Sequence, residues 1–156
     1  QSPAQVSAIG ADAGGASRYA RAKAEGEAHV KAALPSATIL RPSVVFGNGD
    51  SFFNRFASMA QFLPALPLFG GGKSRFQPVY AGDLAEAVLV ALTSDAARGQ
   101  TYALGGPGAY TFEELIRFIL AETDRPRVLL PLPFPPAPPL AFLSYMASSR
   151  PFLLLA

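Results

Sequence analysis

The chain has 156 residues, enough for about one domain of ordinary size with one sizeable core. Half of the residues are hydrophobic and 15% are charged, against roughly 25% charged in a typical soluble domain, so much of the usual surface charge is missing. Thirteen Lys and Arg against eleven Asp and Glu leave a net charge of +2 with no basic stripe, which argues against nucleic acid as a partner; without cysteine, and with His29 as the only histidine, no disulfide and no metal site is expected.

The opening stretch QSPAQVSAIG has no initiating Met and no charged region ahead of an apolar run, so it reads as an internal stretch rather than a start or a signal peptide. Residues 5–9 are strand material, and residues 10–17 (GADAGGAS) form a loop of small residues. Residues 18–34, rich in Ala, Glu and Lys, predict a helix that Pro35 ends, because proline excludes helical backbone for the residue before it. Glu25, Glu27 and His29 are expected on its solvated side. Short strands follow at 38–40 and 44–46, on either side of Arg41-Pro42-Ser43. Residues 51–62 predict a helix with apolar residues at a three-four spacing. Residues 75–80 predict a strand, at an edge because of Pro78.

Asp83-Leu-Ala-Glu86 and Thr111-Phe-Glu-Glu114 each place an N-cap oxygen three residues ahead of a carboxylate, the capping-box arrangement. Helices to about residue 93 and about residue 122 are expected from them, with strands at 101–104 and 128–132. Short apolar runs alternating with helical stretches make a layered α/β unit. Beyond residue 128 the composition changes: Arg150 is the only charge, and six prolines fall between Pro131 and Pro139. Proline costs about 3 kcal/mol inside a helix, and a transmembrane helix needs ~20 apolar helical residues, so this segment is not expected to span a bilayer. It can pack on its own domain, on a partner protein or on a membrane surface.

Tyr19 and Lys23 stand four residues apart, which places phenol and ammonium on one helix face, one turn apart. A cation there favours phenolate and lowers a pKa that is ordinarily about 10, while the same lysine can hold ribose hydroxyls. Such a pair can serve as proton donor beside a nicotinamide ring, with the Ser7 hydroxyl at the end of the first strand holding a substrate carbonyl. The same spacing also arises on ordinary surface helices. Gly70-Gly-Gly-Lys-Ser74 ends like a phosphate-binding loop, but Pro67 occupies the place of its first glycine, and Arg75-Phe-Gln-Pro78 is no helix start. It reads as a turn. Asp83, an acid after a strand, is explained by capping alone.

The segments VSAIGA, SRYARAKAEGE, ATILRPSVVFGNGD and FQPVYAGDLAEAV, in this order and spacing, resemble the extended and atypical short-chain dehydrogenase/reductase superfamily. Within it the resemblance is strongest to the NAD(P)H-binding accessory subunits of respiratory complex I. Ser17 to Lys23 with Gly26-Glu27, Pro42-Ser43 with Phe46-Gly47, Phe53 to Met59, Gln77 to Tyr80 and Leu132 to Pro136 carry it. The resemblance implies the C-terminal part of a Rossmann-like doubly wound parallel sheet with a small substrate-side subdomain. Residues 1–127 would form the nicotinamide-side part, and 128–156 an apolar, proline-rich segment. The superfamily's opening Gly-x-x-Gly-x-x-Gly turn, whose following helix receives the pyrophosphate, has no counterpart here, so the chain is expected to be part of a longer protein.

Function is likewise implied by the resemblance. The cofactor would be NADP or NAD, with NADPH favoured, held by Tyr19, Lys23 and the stretch Pro42, Ser43, Val44 and Val45. Arg75 either meets an anionic group of a substrate or is a solvated surface arginine. The expected role is a non-catalytic accessory subunit with complex I subunits as partners and membrane-surface contact through the C-terminal segment. It would lie on the cytoplasmic face of a bacterial inner membrane or the mitochondrial matrix face. The alternative is an NAD(P)-dependent epimerase, dehydratase or reductase acting on a nucleotide-sugar or other carbonyl through Ser7, Tyr19 and Lys23. A small interaction domain without a cofactor is the third possibility.

Overall fold

In the computed structural model, which describes residues 3–133, a three-stranded parallel sheet forms the first of two packed groups of elements. Its strands are β1 (Ala4–Val6), β2 (Thr38–Pro42) and β7 (Thr101–Leu104), in the order β1-β2-β7. Gln5 faces Ile39, and Leu40 faces Tyr102. The central strand has Thr38, Ile39 and Leu40 buried in succession, as expected for a strand covered on both faces. The Thr38 hydroxyl is satisfied by donating to the Ala97 carbonyl at 2.6 Å. Helix α1 (Arg18–Ala33) connects β1 to β2, and α3 (Ala81–Thr93) packs on both strands. Mixed α/β layering with parallel strands, as the resemblance implied, is therefore the architecture.

The rest of the chain builds a second cluster. Helices α2 (Phe53–Phe62) and α4 (Phe112–Glu122) meet over β4 (Ala65–Phe69) and bury Phe56, Ala60, Leu66, Leu68, Phe112, Ile116, Ile119 and Leu120. β4 pairs in parallel with β9 (Val128–Leu132), with Leu66 opposite Leu129. Nothing in the sequence reading anticipated β4, whose Pro67 discourages a strand. Both strands of a two-stranded ribbon are edge strands, where a proline whose nitrogen faces away from the partner costs no ladder bond.

Two expectations are corrected. The strand over 75–80 is broken at Gln77-Pro78: β5 (Arg75–Phe76) runs antiparallel to β8 (Tyr110–Thr111), whereas β6 (Val79–Tyr80) pairs in parallel with β3 (Val45–Phe46). The helix expected from Asp83 starts at Ala81 with Tyr80 as N-cap, and no side chain caps it. Asp83 lies inside its first turn, where a carboxylate still complements the helix dipole. The second capping box forms as expected: Glu114 N–H donates to Thr111 Oγ1 at 3.2 Å, and Thr111 N–H donates to Glu114 Oε2 at 2.6 Å. Most of the proline-rich tail, from residue 134 on, lies outside the described residues.

Candidate functional site

Helix α1 begins where Ser17 ends the loop of small residues. Its Oγ accepts from the N–H groups of Tyr19 (3.2 Å) and Ala20 (3.5 Å), an ordinary N-cap. Arg21 donates back to the carbonyls of Gly15 (2.7 Å) and Ala16 (2.9 Å), holding the loop against the helix start. Tyr19 and Lys23 are thereby fixed at the mouth of the helix, both half-buried, with Lys23 Nζ 5.6 Å from the centre of the Tyr19 ring. The ammonium is close enough for a cation–π contact with the ring. Burial pushes the Tyr19 phenol above its ordinary value of 10.0, opposite to the lowering expected from the spacing alone.

Ser7 follows β1 directly, tied by its N–H to the Leu40 carbonyl at 2.7 Å. Its side chain is buried, and its hydroxyl makes no hydrogen bond of ordinary geometry. It nonetheless stands near enough to the Glu27 carboxylate to help hold it ionised. Glu27 itself is the main correction to the sequence reading. It is 5% exposed, not solvated, and receives Arg41 Nε at 2.9 Å and Nη2 at 2.6 Å. The Arg41 hydrogen bond is the largest cause holding this carboxyl below the usual carboxylate range, against a smaller opposing effect of burial. Glu25 and His29 are exposed as expected.

At the far end of β2, Pro42 is buried, and the Ser43 N–H donates to the Leu104 carbonyl at 2.8 Å. Val44 and Val45 then line a cleft of about 440 Å³ with Phe46 and the turn Gly47-Asn48-Gly49-Asp50. Asp50 stops the turn and starts α2, its Oδ1 accepting from Phe53 N–H at 2.6 Å. A second cleft of about 610 Å³ shares Phe46, Gly47 and Asp50 and continues over Phe53, Pro78, Pro107, Tyr110 and Phe118. Its walls are largely aromatic and proline. Neither the aromatic lining from Tyr110 and Phe118 nor the role of Asp50 was anticipated; the Phe52-Phe53 pair after the Gly-Asn-Gly turn was the available signal.

Arg75 lies exposed on β5, donates to the Ala109 carbonyl at 3.4 Å, stands near Glu114, and is not among the residues forming either cleft wall. Gly70–Gly72 is a 3-10 turn and Arg75–Phe76 after it is a strand, so the helix a phosphate loop requires does not follow. The structure thus brings Tyr19 to Lys23, Ser7 to Glu27, and Val44 to Val45 in one cleft wall.

Comparison with known proteins places this arrangement. A family profile described as "RmlD substrate binding domain" matches residues 11–139. The chain is 40% identical over 150 residues to "NADH dehydrogenase [ubiquinone] 1 alpha subcomplex subunit 9, mitochondrial" of Arabidopsis thaliana, which covers 95% of the chain and 37% of the relative. With the Mus musculus protein of the same name it shares 39% identity over 129 residues, 82% of the chain and 34% of the relative. It therefore spans about a third of the length of these curated relatives. Among solved structures, a Thermus thermophilus UDP-glucose 4-epimerase in complex with NAD superposes with a TM-score of 0.65 at 21% identity, covering 91% of this chain and 57% of the other. A Bacillus anthracis dTDP-glucose 4,6-dehydratase in complex with NAD gives 0.68 at 20% identity, covering 86% and 50%. These two share the Rossmann-like fold. The parallel sheet agrees with the match over residues 11–139, and the chain belongs to the RmlD substrate binding domain family, within the short-chain dehydrogenase/reductase superfamily.

Proposed function

We propose that this chain is the nicotinamide-side part of a dinucleotide-binding accessory subunit of respiratory complex I, in which the cofactor is held rather than turned over. The observation that carries the reading is the 40% identity over 95% of the chain to a mitochondrial NADH dehydrogenase subunit, about twice the identity to the epimerase of the same fold.

The residues present fit the nicotinamide end of a dinucleotide. In this reading Lys23, 5.6 Å from the Tyr19 ring, would hold ribose hydroxyls, Tyr19 would flank the nicotinamide ring, and residues 42–45, of which Val44 and Val45 line the smaller cleft, would form its far side. When bound, the cofactor supplies hydride-transfer capacity; this chain's residues supply its seat. NADPH is the proposed form. Of residues 128–156, the stretch beyond β9, in which Arg150 is the single charge, is proposed to meet a partner subunit or the membrane surface, on the matrix face in mitochondria. No helix among the described residues is long and apolar enough to cross a membrane.

The second reading is an NAD(P)-dependent epimerase, dehydratase or reductase, favoured by the Tyr19–Lys23 pair itself. Here Tyr19 would move the proton, Lys23 would grip the ribose, Ser7 would orient the substrate oxygen, and Arg75 would have to reach an anionic group. Gentle purification of the full-length protein followed by native mass spectrometry separates the readings. Retained NADPH together with respiratory subunits is the expected result; a free protein without dinucleotide would end the accessory-subunit reading. Tyr19→Phe, which keeps the ring and removes only the phenol hydroxyl, should leave assembly with respiratory subunits unchanged. In the enzyme reading it would lower turnover by about 10²–10⁴.

A further inference from the structure

Tyr19, Lys23 and Glu27 follow one another at intervals of four residues and form one stripe along α1. The proposed seat uses the first two. The third is a carboxylate held almost out of solvent, a position that charged groups occupy only with a partner. Arg41 provides that partner from β2, through both prongs of its guanidinium. It directly precedes Pro42, where the strand end that lines the nicotinamide side begins.

Within this chain Ala20 and Glu27 are the buried residues of α1, and Tyr19, Lys23 and Val30 are half-buried, so Glu27 is the largest side chain that the helix buries fully against the sheet. Gln5 packs against the helix at Gly26, where an added Cβ would lie 3.6 Å from Gln5 Nε2. Gln5 Oε1 and Ser7 Oγ are buried on this side of β1, with Ser7 beside the Glu27 carboxylate. A polar cluster therefore lies between β1, β2 and α1.

We propose that the Glu27–Arg41 pair is the positioning element of the nicotinamide seat, fixing the rotation and height of α1 so that Tyr19 and Lys23 face the strand end at residues 42–45. This rests on the dinucleotide-binding reading above. A two-pronged guanidinium–carboxylate contact fixes direction as well as distance. Rotating α1 about its axis moves the whole stripe together, so loss of the anchor at Glu27 is felt at Tyr19, two turns away.

The test uses the full-length protein with Glu27→Gln, with Arg41→Lys, which keeps the charge but loses the planar fork, and with the control Glu113→Gln. The control breaks an exposed pair with Arg117 on α4, distant from the seat. NADPH dissociation constants are measured well below the melting temperature of every variant, and amide hydrogen exchange over residues 18–33 is measured without dinucleotide. Glu27→Gln is expected to weaken NADPH by about tenfold, the scale of a lost charge-assisted hydrogen bond. Arg41→Lys should fall between it and wild type, and the control should match wild type. Exchange in the turn from Tyr19 to Lys23 should accelerate in Glu27→Gln.

A purely structural pair would lower the melting temperature and leave affinity alone; wild-type affinity in Glu27→Gln would overturn the proposal. If the wild-type protein itself holds no NADPH, the dinucleotide reading fails. The exchange measurement then decides the positioning claim alone, and unchanged exchange over residues 19–23 overturns it.

Discussion

Glu27 owes its ionisation chiefly to the Arg41 hydrogen bonds, with smaller help from Ser7 and from the charges of Arg41 and Lys31, all against the cost of burial. A carboxyl whose folded pKa lies below its unfolded value near 4.5 binds fewer protons folded than unfolded. Its stabilisation is thus complete above the unfolded value and is lost as pH falls through the folded one. Glu27→Gln keeps the shape and removes the titration. At pH 7 the variant should be less stable by about 1–3 kcal/mol, the worth of hydrogen bonds to a charged group. The gap between wild type and variant should close as denaturation is repeated from pH 6 down to pH 3; a gap independent of pH would show that the carboxylate is not what stabilises. The burial of Glu27 was not legible in the sequence, although its spacing from Lys23 was. A carboxylate is assigned to solvent unless its partner is known, and Arg41 is on a strand fourteen residues away, outside any helical periodicity. The Tyr19–Lys23 proximity was legible because both residues share one helix turn. The direction of the Tyr19 shift was not, because burial depends on what the rest of the fold lays over the ring.

Elements with a local cause were the ones the sequence disclosed. Thr111 and Glu114 satisfy each other's neighbouring N–H groups within four residues, and the box holds Glu114 below the ordinary carboxylate value. The helix it starts carries five buried side chains, Phe112, Leu115, Ile116, Ile119 and Leu120. Thr111→Ala should therefore cost about 1 kcal/mol in denaturant unfolding, while Thr111→Ser should stay near wild type because serine caps as well. Equal losses in both variants would mean that the threonine methyl, not the cap, stabilises the start of α4. At Asp83 the same motif misled. The strand β6 runs directly into Ala81, so the helix has already begun when Asp83 is reached. β4 was illegible for the opposite reason. Its pairing with β9 joins residues more than sixty apart, and no local pattern in Ala-Leu-Pro-Leu-Phe announces a strand whose partner is that distant.

At the scale of the whole molecule, the sheet of β1, β2 and β7 and the cluster under α2 and α4 are joined by three chain crossings, and the larger cleft lies where they meet. Gly47 and Asp50 come from the first crossing, Pro78 from the second and Pro107 from the third. The second and third touch directly: Gly106 N–H donates to the Gln77 carbonyl at 3.2 Å. A Cβ on Gly106 would run into the Pro78 carbonyl oxygen, backbone that cannot swing aside. Gly106 is not among the residues with positive φ, so steric room, not conformational freedom, is what the position demands. Its neighbour Gly105 provides the comparison, because a Cβ there would meet Gln77 Cβ and Oε1 at 3.1 Å, an approach relieved by a few tenths of an ångström where the one at Gly106 is not. Gly106→Ala should therefore destabilise by about 1–3 kcal/mol as an overpacked contact, and Gly105→Ala by clearly less. Both are read from urea midpoints at unchanged slope, so that the difference reports stability rather than altered compactness. If Gly105→Ala proved as costly as Gly106→Ala, the crossings would not be held by backbone contact, and the cleft they frame would have to be shaped by its aromatic walls instead.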